Sequence, residues 1–201
     1  MADAAPRHPL FVRVTHWLNL LCFLALLLTG VEIVISHPRF YWGDVGNSNT
    51  PALFSLPIPA SRPWVDTGYP YVLPDQNGWS RSLHFQAAWL CVLTGLSYVT
   101  AGLASRHFQQ DLRPTLQRLA YRAVVFALLP LLIWTGLAMS PTLNAAFPWL
   151  AATFGGHQSA RTLHFFATLL LVGFALGHVA MVWRAGFVRH VRAMVTGGPA
   201  A

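Results

Sequence analysis

Charge is what this chain has least of. Only 9% of its 201 residues are Asp, Glu, Lys or Arg, against 55% hydrophobic, too little to cover a water-soluble surface. Lysine is absent altogether: all thirteen basic residues are arginine. A nucleotide-binding glycine motif, a nucleophile with its base and a soluble catalytic domain are missing as well, which excludes the usual stand-alone soluble enzymes.

What is present is long apolar sequence. Four stretches, about residues 14–36, 83–105, 116–140 and 163–183, are each long enough to cross a hydrocarbon core about 30 Å thick. The chain therefore reads as all-α, an integral membrane four-helix bundle over residues 1–201 with little left for a second domain. The first stretch is too long for a signal-peptide core and has no convincing small-residue cleavage site, so it is expected to be retained.

The arginines set the topology. Arg7, Arg13, Arg106, Arg113, Arg118, Arg122, Arg184, Arg189 and Arg192 fall on one side with only Asp3 and Asp111, and account for the whole formal charge of +7. On the other side Arg39, Arg62, Arg81 and Arg161 balance Glu32, Asp44, Asp66 and Asp75. The positive-inside rule then makes both termini cytoplasmic and residues 37–80 a long periplasmic loop. A basic balance explained in this way is topology, and nucleic acid is not an expected partner. The loop is rich in proline and carries Trp42, Trp64, Tyr69, Tyr71 and Trp79, which suits either an ordered cap lying on the membrane interface or a simple aromatic belt.

Histidine carries the functional signal. Of nine histidines, His16, His84, His164 and His178 lie within predicted spans, where ionisable groups are rare and usually functional. His164 and His178 are fourteen residues apart, so on one helix their imidazoles leave within about 40° of each other and about 21 Å apart along the axis. With a cytoplasmic N-terminus, His16 shares the level of His178, and His84 and His164, each beginning a span from outside, share the other level. One pair near each surface is what two bis-histidine haems require, each iron taking two trans imidazoles from facing helices. Cys22 and Cys91 lie inside spans and no Cys-x-x-Cys-His run exists, so such haem would be non-covalent, of the b type. The third span has no histidine and is expected to pack without ligating.

The other histidines fit less well. His37, followed by Pro38, overshoots the 21 Å interval from His16 and marks the end of the first span, while His107 is rotated about 140° from His84 and lies past its apolar stretch. His8, His157 and His190 are flanking or tail residues. His107 and His157 are kept as secondary candidates for a quinone pocket or a proton path.

Three of the four candidate ligands follow an arginine by one helical turn: Arg13 before His16, Arg81 before His84, and Arg161 before His164. Each arginine could pair with an anionic haem propionate or simply anchor its span at the interface. Glu32, the only carboxylate in an apolar stretch, suits either proton exchange beside the outer haem or snorkelling to the surface. Glycines at 30, 95, 102, 136, 173 and 177 suit close helix packing, Gly173-x-x-x-Gly177 having the small-xxx-small spacing, or a flat macrocycle lying against a helix.

Arg13-Val14-Thr15-His16-Trp17, the histidine opening span two and the two histidines fourteen apart in span four resemble the bacterial cytochrome b561 and nickel-hydrogenase b-subunit superfamily. Within it, His37-Pro38-Arg39-Phe40-Tyr41-Trp42-Gly43, Ser105-Arg106-His107-Phe108 and Asp111-Leu112-Arg113-Pro114 are similar to the thiosulfate-reductase-type cytochrome b group. The resemblance covers about residues 10–192. It implies a multi-pass protein of the bacterial inner membrane holding two haem b, one on His16 and His178 and one on His84 and His164. It also implies an electron-transfer subunit rather than a stand-alone enzyme, linking quinone or quinol to a partner oxidoreductase, a periplasmic molybdopterin enzyme in preference to a hydrogenase. The rival reading is a histidine-lined ion or metal transporter, or a proton relay without haem. Its histidines would then cluster at two separated levels with no polar path between them.

Overall fold

The computed structural model describes residues 8–47, 49–59, 77–109 and 116–198. The expectations placed on Arg7, Arg62, Trp64, Tyr69, Tyr71 and the Asp111 to Pro114 motif lie outside these residues. Helix dominates, and four helical stretches are long and apolar enough to cross a membrane: Leu10–Ser36, Gly78–Ala104, Gln117–Met139 and His157–Arg184. Between 6% and 17% of each stretch is buried within the protein. Leucines such as Leu21, Leu28, Leu96, Leu170 and Leu176 point outward, as an apolar solvent allows.

The helix boundaries follow from local chemistry. α1 (Leu10–Ser36) stops before His37-Pro38, because Pro38 lacks an N–H and restricts the residue before it. α2 (Asn77–Ala104) is closed by Arg106 in the left-handed region at φ 52°. The third apolar stretch is not one regular helix. α3 (Leu116–Ala123) passes into a π segment, Val124–Leu128, before α4 (Leu129–Met139). The Leu129 N–H bonds to the Val124 carbonyl, five residues back, and the next residue, Pro130, has no N–H to continue an ordinary ladder.

Short α5 (Pro141–Ala146) and α6 (Trp149–Ala152) lead to α7 (His157–Arg184), and Gly186 at φ 103° turns the chain into α8 (Phe187–Thr196). α2 and α7 begin at Asn77 and His157 rather than at Leu83 and Leu163. Their first turns are polar, Asn-Gly-Trp-Ser-Arg-Ser and His-Gln-Ser-Ala-Arg-Thr, and hydropathy alone does not register them. The expectation that His84 and His164 open their spans is corrected. Each lies seven residues inside its helix, counted from Asn77 and from His157.

The chain forms two compact units. The first comprises Met1–Leu26, Gln86–Arg113 and Val172–Ala201, and the second Leu27–Phe85 and Pro114–Leu171. In the first unit the Asn19 side chain accepts a 2.5 Å hydrogen bond from Thr94 on α2, an interhelical polar contact of the kind lipid-embedded helices use. There α8 lies against α1: Trp17 Nε1 donates to the Met194 carbonyl at 3.2 Å and an Arg13 Nη to the Val195 carbonyl at 2.8 Å. Both acceptors are at the C-terminal end of α8, where carbonyls lack helical partners.

In the second unit the loop after α1 folds onto α7. Two short strands, β1 (Arg39–Phe40) and β2 (Phe54–Ser55), pair antiparallel with Phe40 opposite Phe54. Phe40, 1% exposed, stacks on Phe54 at 4.7 Å and packs on Phe165 of α7 at 4.5 Å. The Gly43 carbonyl accepts from the Gln158 and Ser159 N–H groups, the Gly43 N–H donates to Ser159 Oγ, and Thr162 Oγ1 donates to the Tyr41 carbonyl. Residues 37–47 and 49–59 of this loop are ordered, with Tyr41 and Gly43 bonded to the first turns of α7. Nearby, Ala138, Leu150 and Ala160 form a small apolar core with Leu143 and Phe154.

Candidate histidine sites

Each unit holds one pair of span histidines. In the first, the rings of His16 (α1) and His178 (α7) lie 6.4 Å apart centre to centre, with 62° between their planes. In the second, His84 (α2) and His164 (α7) are also 6.4 Å apart, at 60°. The pairs are those that membrane depth selected. A coordinating imidazole nitrogen stands about 2 Å from a transition-metal ion and about 1.1 Å from its own ring centre, so two trans ligands sit roughly 6.2 Å apart. Both ring-centre separations are close to that spacing. Among the described residues no group of three or more His, Cys, Asp or Glu side chains is placed to hold a metal ion.

The surroundings of the pairs differ. Thr29 Oγ1 lies 2.8 Å from His84 Nδ1, and Thr135 Oγ1 lies 2.9 Å from His164 Nδ1. At the other pair Trp17 meets His16 edge-on at 5.2 Å and Phe174 stacks with His178 at 6.3 Å. His16 Nδ1 is buried with no hydrogen-bond partner among the described residues. Sequence reasoning missed both threonines. Their signal is a Thr-Gly dipeptide in each of the first three spans, Thr29-Gly30, Thr94-Gly95 and Thr135-Gly136.

The span glycines fall into three groups, and a Cβ on Gly102 would stand 2.5 Å from the Phe108 ring. A Cβ on Gly30 or Gly136 would stand 3.7 Å from Cε1 of His84 or His164. A Cβ on Gly95, Gly173 or Gly177 would meet nothing within 4 Å. Close packing is therefore not what Gly173-x-x-x-Gly177 provides among the described residues, and open space of this kind is compatible with a bulky cofactor.

The three arginines diverge. Arg161 donates through one Nη to the Arg39 carbonyl at 2.9 Å and through the other to the His37 carbonyl, with its guanidinium 4.7 Å from the Phe40 ring centre. Those Nη groups hold the loop, which changes what was expected of Arg161. Arg13 gives one Nη to α8, while its buried Nε has no partner among the described residues. Arg81 is exposed.

Of the secondary candidates, Glu32 has a buried Oε2 without a hydrogen-bond partner among the described residues. The ring of His107 lies edge-on to Phe11 at 5.7 Å, beside Phe108. His157 opens α7, its N–H donating to Asp44 Oδ1.

The family profile described as Prokaryotic cytochrome b561 matches residues 7–197. A curated relative from Azospira oryzae, named "Putative protein-methionine-sulfoxide reductase subunit YedZ1", is 26% identical over 208 residues, covering 87% of this chain and 89% of the relative. No solved structure matches the chain.

Proposed function

This chain belongs to the prokaryotic cytochrome b561 family, and on that premise we propose that it is a dihaem cytochrome linking the quinone pool to a partner oxidoreductase. Membership makes it a multi-pass membrane protein of b-type haem and transmembrane electron transfer. The observation that carries the dihaem reading is the pair of 6.4 Å imidazole separations, one in each unit.

His16 and His178 would hold one haem iron, and His84 and His164 the other. Bound haem supplies a one-electron iron couple whose potential depends on its ligands and surroundings. The residues around it bind, orient and exclude water. The Nε–H of Arg13 and the guanidinium of Arg81 are the donors left for propionate carboxylates. On the positive-inside rule, which the arginine distribution supports, His16 and His178 would lie toward the cytoplasm of a bacterial inner membrane and His84 and His164 toward the periplasm. Glu32 lies two residues beyond Gly30, which packs on His84. Its carboxylate is the group placed to exchange a proton with a quinol on that side.

The partner is a periplasmic molybdopterin enzyme. The Azospira relative, named as a reductase subunit, supports a role as one subunit of a complex rather than an independent enzyme. The test is a haem count on the purified protein by reduced-minus-oxidised spectrum and pyridine haemochrome. Two haem b per chain are expected, with one lost in His84→Ala and the other in His16→Ala. Absence of a b-type band, or two haems retained in His84→Ala, overturns the reading.

A further inference from the structure

Thr29 and Thr135 are 1% and 0% exposed, and electron transfer as proposed gives them no task. Thr29 on α1 meets His84 of α2, and Thr135 on α4 meets His164 of α7. Neither threonine shares a helix with the histidine it touches. Both contacts are to Nδ1, and in both a Cβ on the following glycine would stand 3.7 Å from Cε1 of the same ring. The same support is thus built twice, from different helices, behind the two imidazoles of one pair.

Proton counting ties the direction of one hydrogen bond to the tautomer of the ring it meets. A hydroxyl has one proton, and that of Thr135 points back along its own helix, 2.8 Å from the Leu131 carbonyl and 3.1 Å from that of Leu132. With that proton on the Leu131 carbonyl, the oxygen accepts from His164, and His164 then carries its proton on Nδ1. A neutral imidazole with Nδ1 protonated has its lone pair on Nε2, the nitrogen left for a metal. Partners of this type hold the ring of a metal-ligating histidine in one orientation and one tautomer. His16 has no such bond at Nδ1 among the described residues.

We propose that Thr29 and Thr135 are positioning residues that fix the Nδ1–H tautomer and the ring orientation of His84 and His164, making the haem on that pair the more firmly held of the two. The inference rests on the dihaem reading, deepens it, and is separable from it by experiment. Haem transfer from the purified holoprotein to excess apomyoglobin is followed at the Soret band, together with the low-spin ferric signals in electron paramagnetic resonance. The native protein releases haem in two phases. Thr135→Val speeds the slower phase by about 10- to 100-fold, the usual cost of removing such a partner, and shifts one low-spin signal only. Thr135→Ser, which keeps the hydroxyl, restores both.

The proposal is overturned if the valine variant changes neither phase nor signal, if serine and valine behave alike, or if the native protein releases both haems at one rate. Should Thr135→Val fail to accumulate in membranes, Thr29→Val reads the same effect through His84. A His164→Ala protein that still carries two haems would instead defeat the haem assignment.

Discussion

The two histidine sites are alike in spacing and unlike in construction. Around His84 and His164 the order comes from hydrogen bonds: threonine hydroxyls at both rings, and a loop fastened to α7 through Arg161, Ser159 and Thr162. Around His16 and His178 it comes from aromatic packing and from a short helix lying across the end of α1. Identical ring separations therefore do not imply identical rigidity. Buried hydrogen bonds specify orientation, whereas packing against open space beside Gly95, Gly173 and Gly177 leaves room for a cofactor to complete the site.

The sharpest way to break this contrast is to remove the clamp on the hydrogen-bonded side. Arg161→Ala leaves the His37 and Arg39 carbonyls without their donor and takes the cation from above Phe40. At about 1–3 kcal/mol for each buried acceptor, less what water recovers, the loss is about 2–4 kcal/mol. Hydrogen exchange at Phe40 and Tyr41 should accelerate on the order of a hundredfold or more, while the haem proposed for His16 and His178 is retained. Unchanged protection there would mean that the aromatic stack of Phe40, Phe54 and Phe165 holds the loop by itself.

A smaller effect is expected at the packed site. Trp17→Phe keeps the ring beside His16 and removes only the N–H that reaches the Met194 carbonyl. Arg13 continues to hold the neighbouring Val195 carbonyl, so the change costs about 1 kcal/mol. Tryptic cleavage after Arg189 and Arg192 should rise roughly fivefold, with haem content constant. A variant that lost haem would show that α8 seals the site as well as covering it.

How much of this was readable in the sequence depends on how far each residue acts. The histidine pairs were legible because the bilayer makes an ionisable group costly and helical periodicity converts spacing into depth. The beginnings of α2 and α7 were not, since their first turns are polar. The π segment follows from Pro130 only once the backbone is seen to keep its helical course through that proline. The arginine-before-histidine regularity was real, but its meaning divided: Arg161 serves a loop distant in sequence and Arg13 also serves α8. Thr29 and Thr135 were invisible because a threonine in an apolar span ordinarily bonds to its own helix. Thr135 does that and also lies 2.9 Å from His164 Nδ1.

The finest test of the contrast is at the glycines. Gly136→Ala adds a methyl 3.7 Å from His164 Cε1, an ordinary van der Waals contact. The substitution also removes the backbone-entropy cost of glycine within a helix, about 0.5–1 kcal/mol. Stability should stay within about 0.5 kcal/mol of the parent or rise slightly, and both haems should remain, as read by thermal unfolding and haemochrome. Gly156→Ala is the control on the same unit, with φ at 128° and the backbone of Gly43 and Asp44 where the methyl would go, and it should destabilise clearly. If Gly136→Ala expelled a haem while the fold survived, the space beside His164 Cε1 would be needed for haem binding and the threonine bond would not by itself hold the ring.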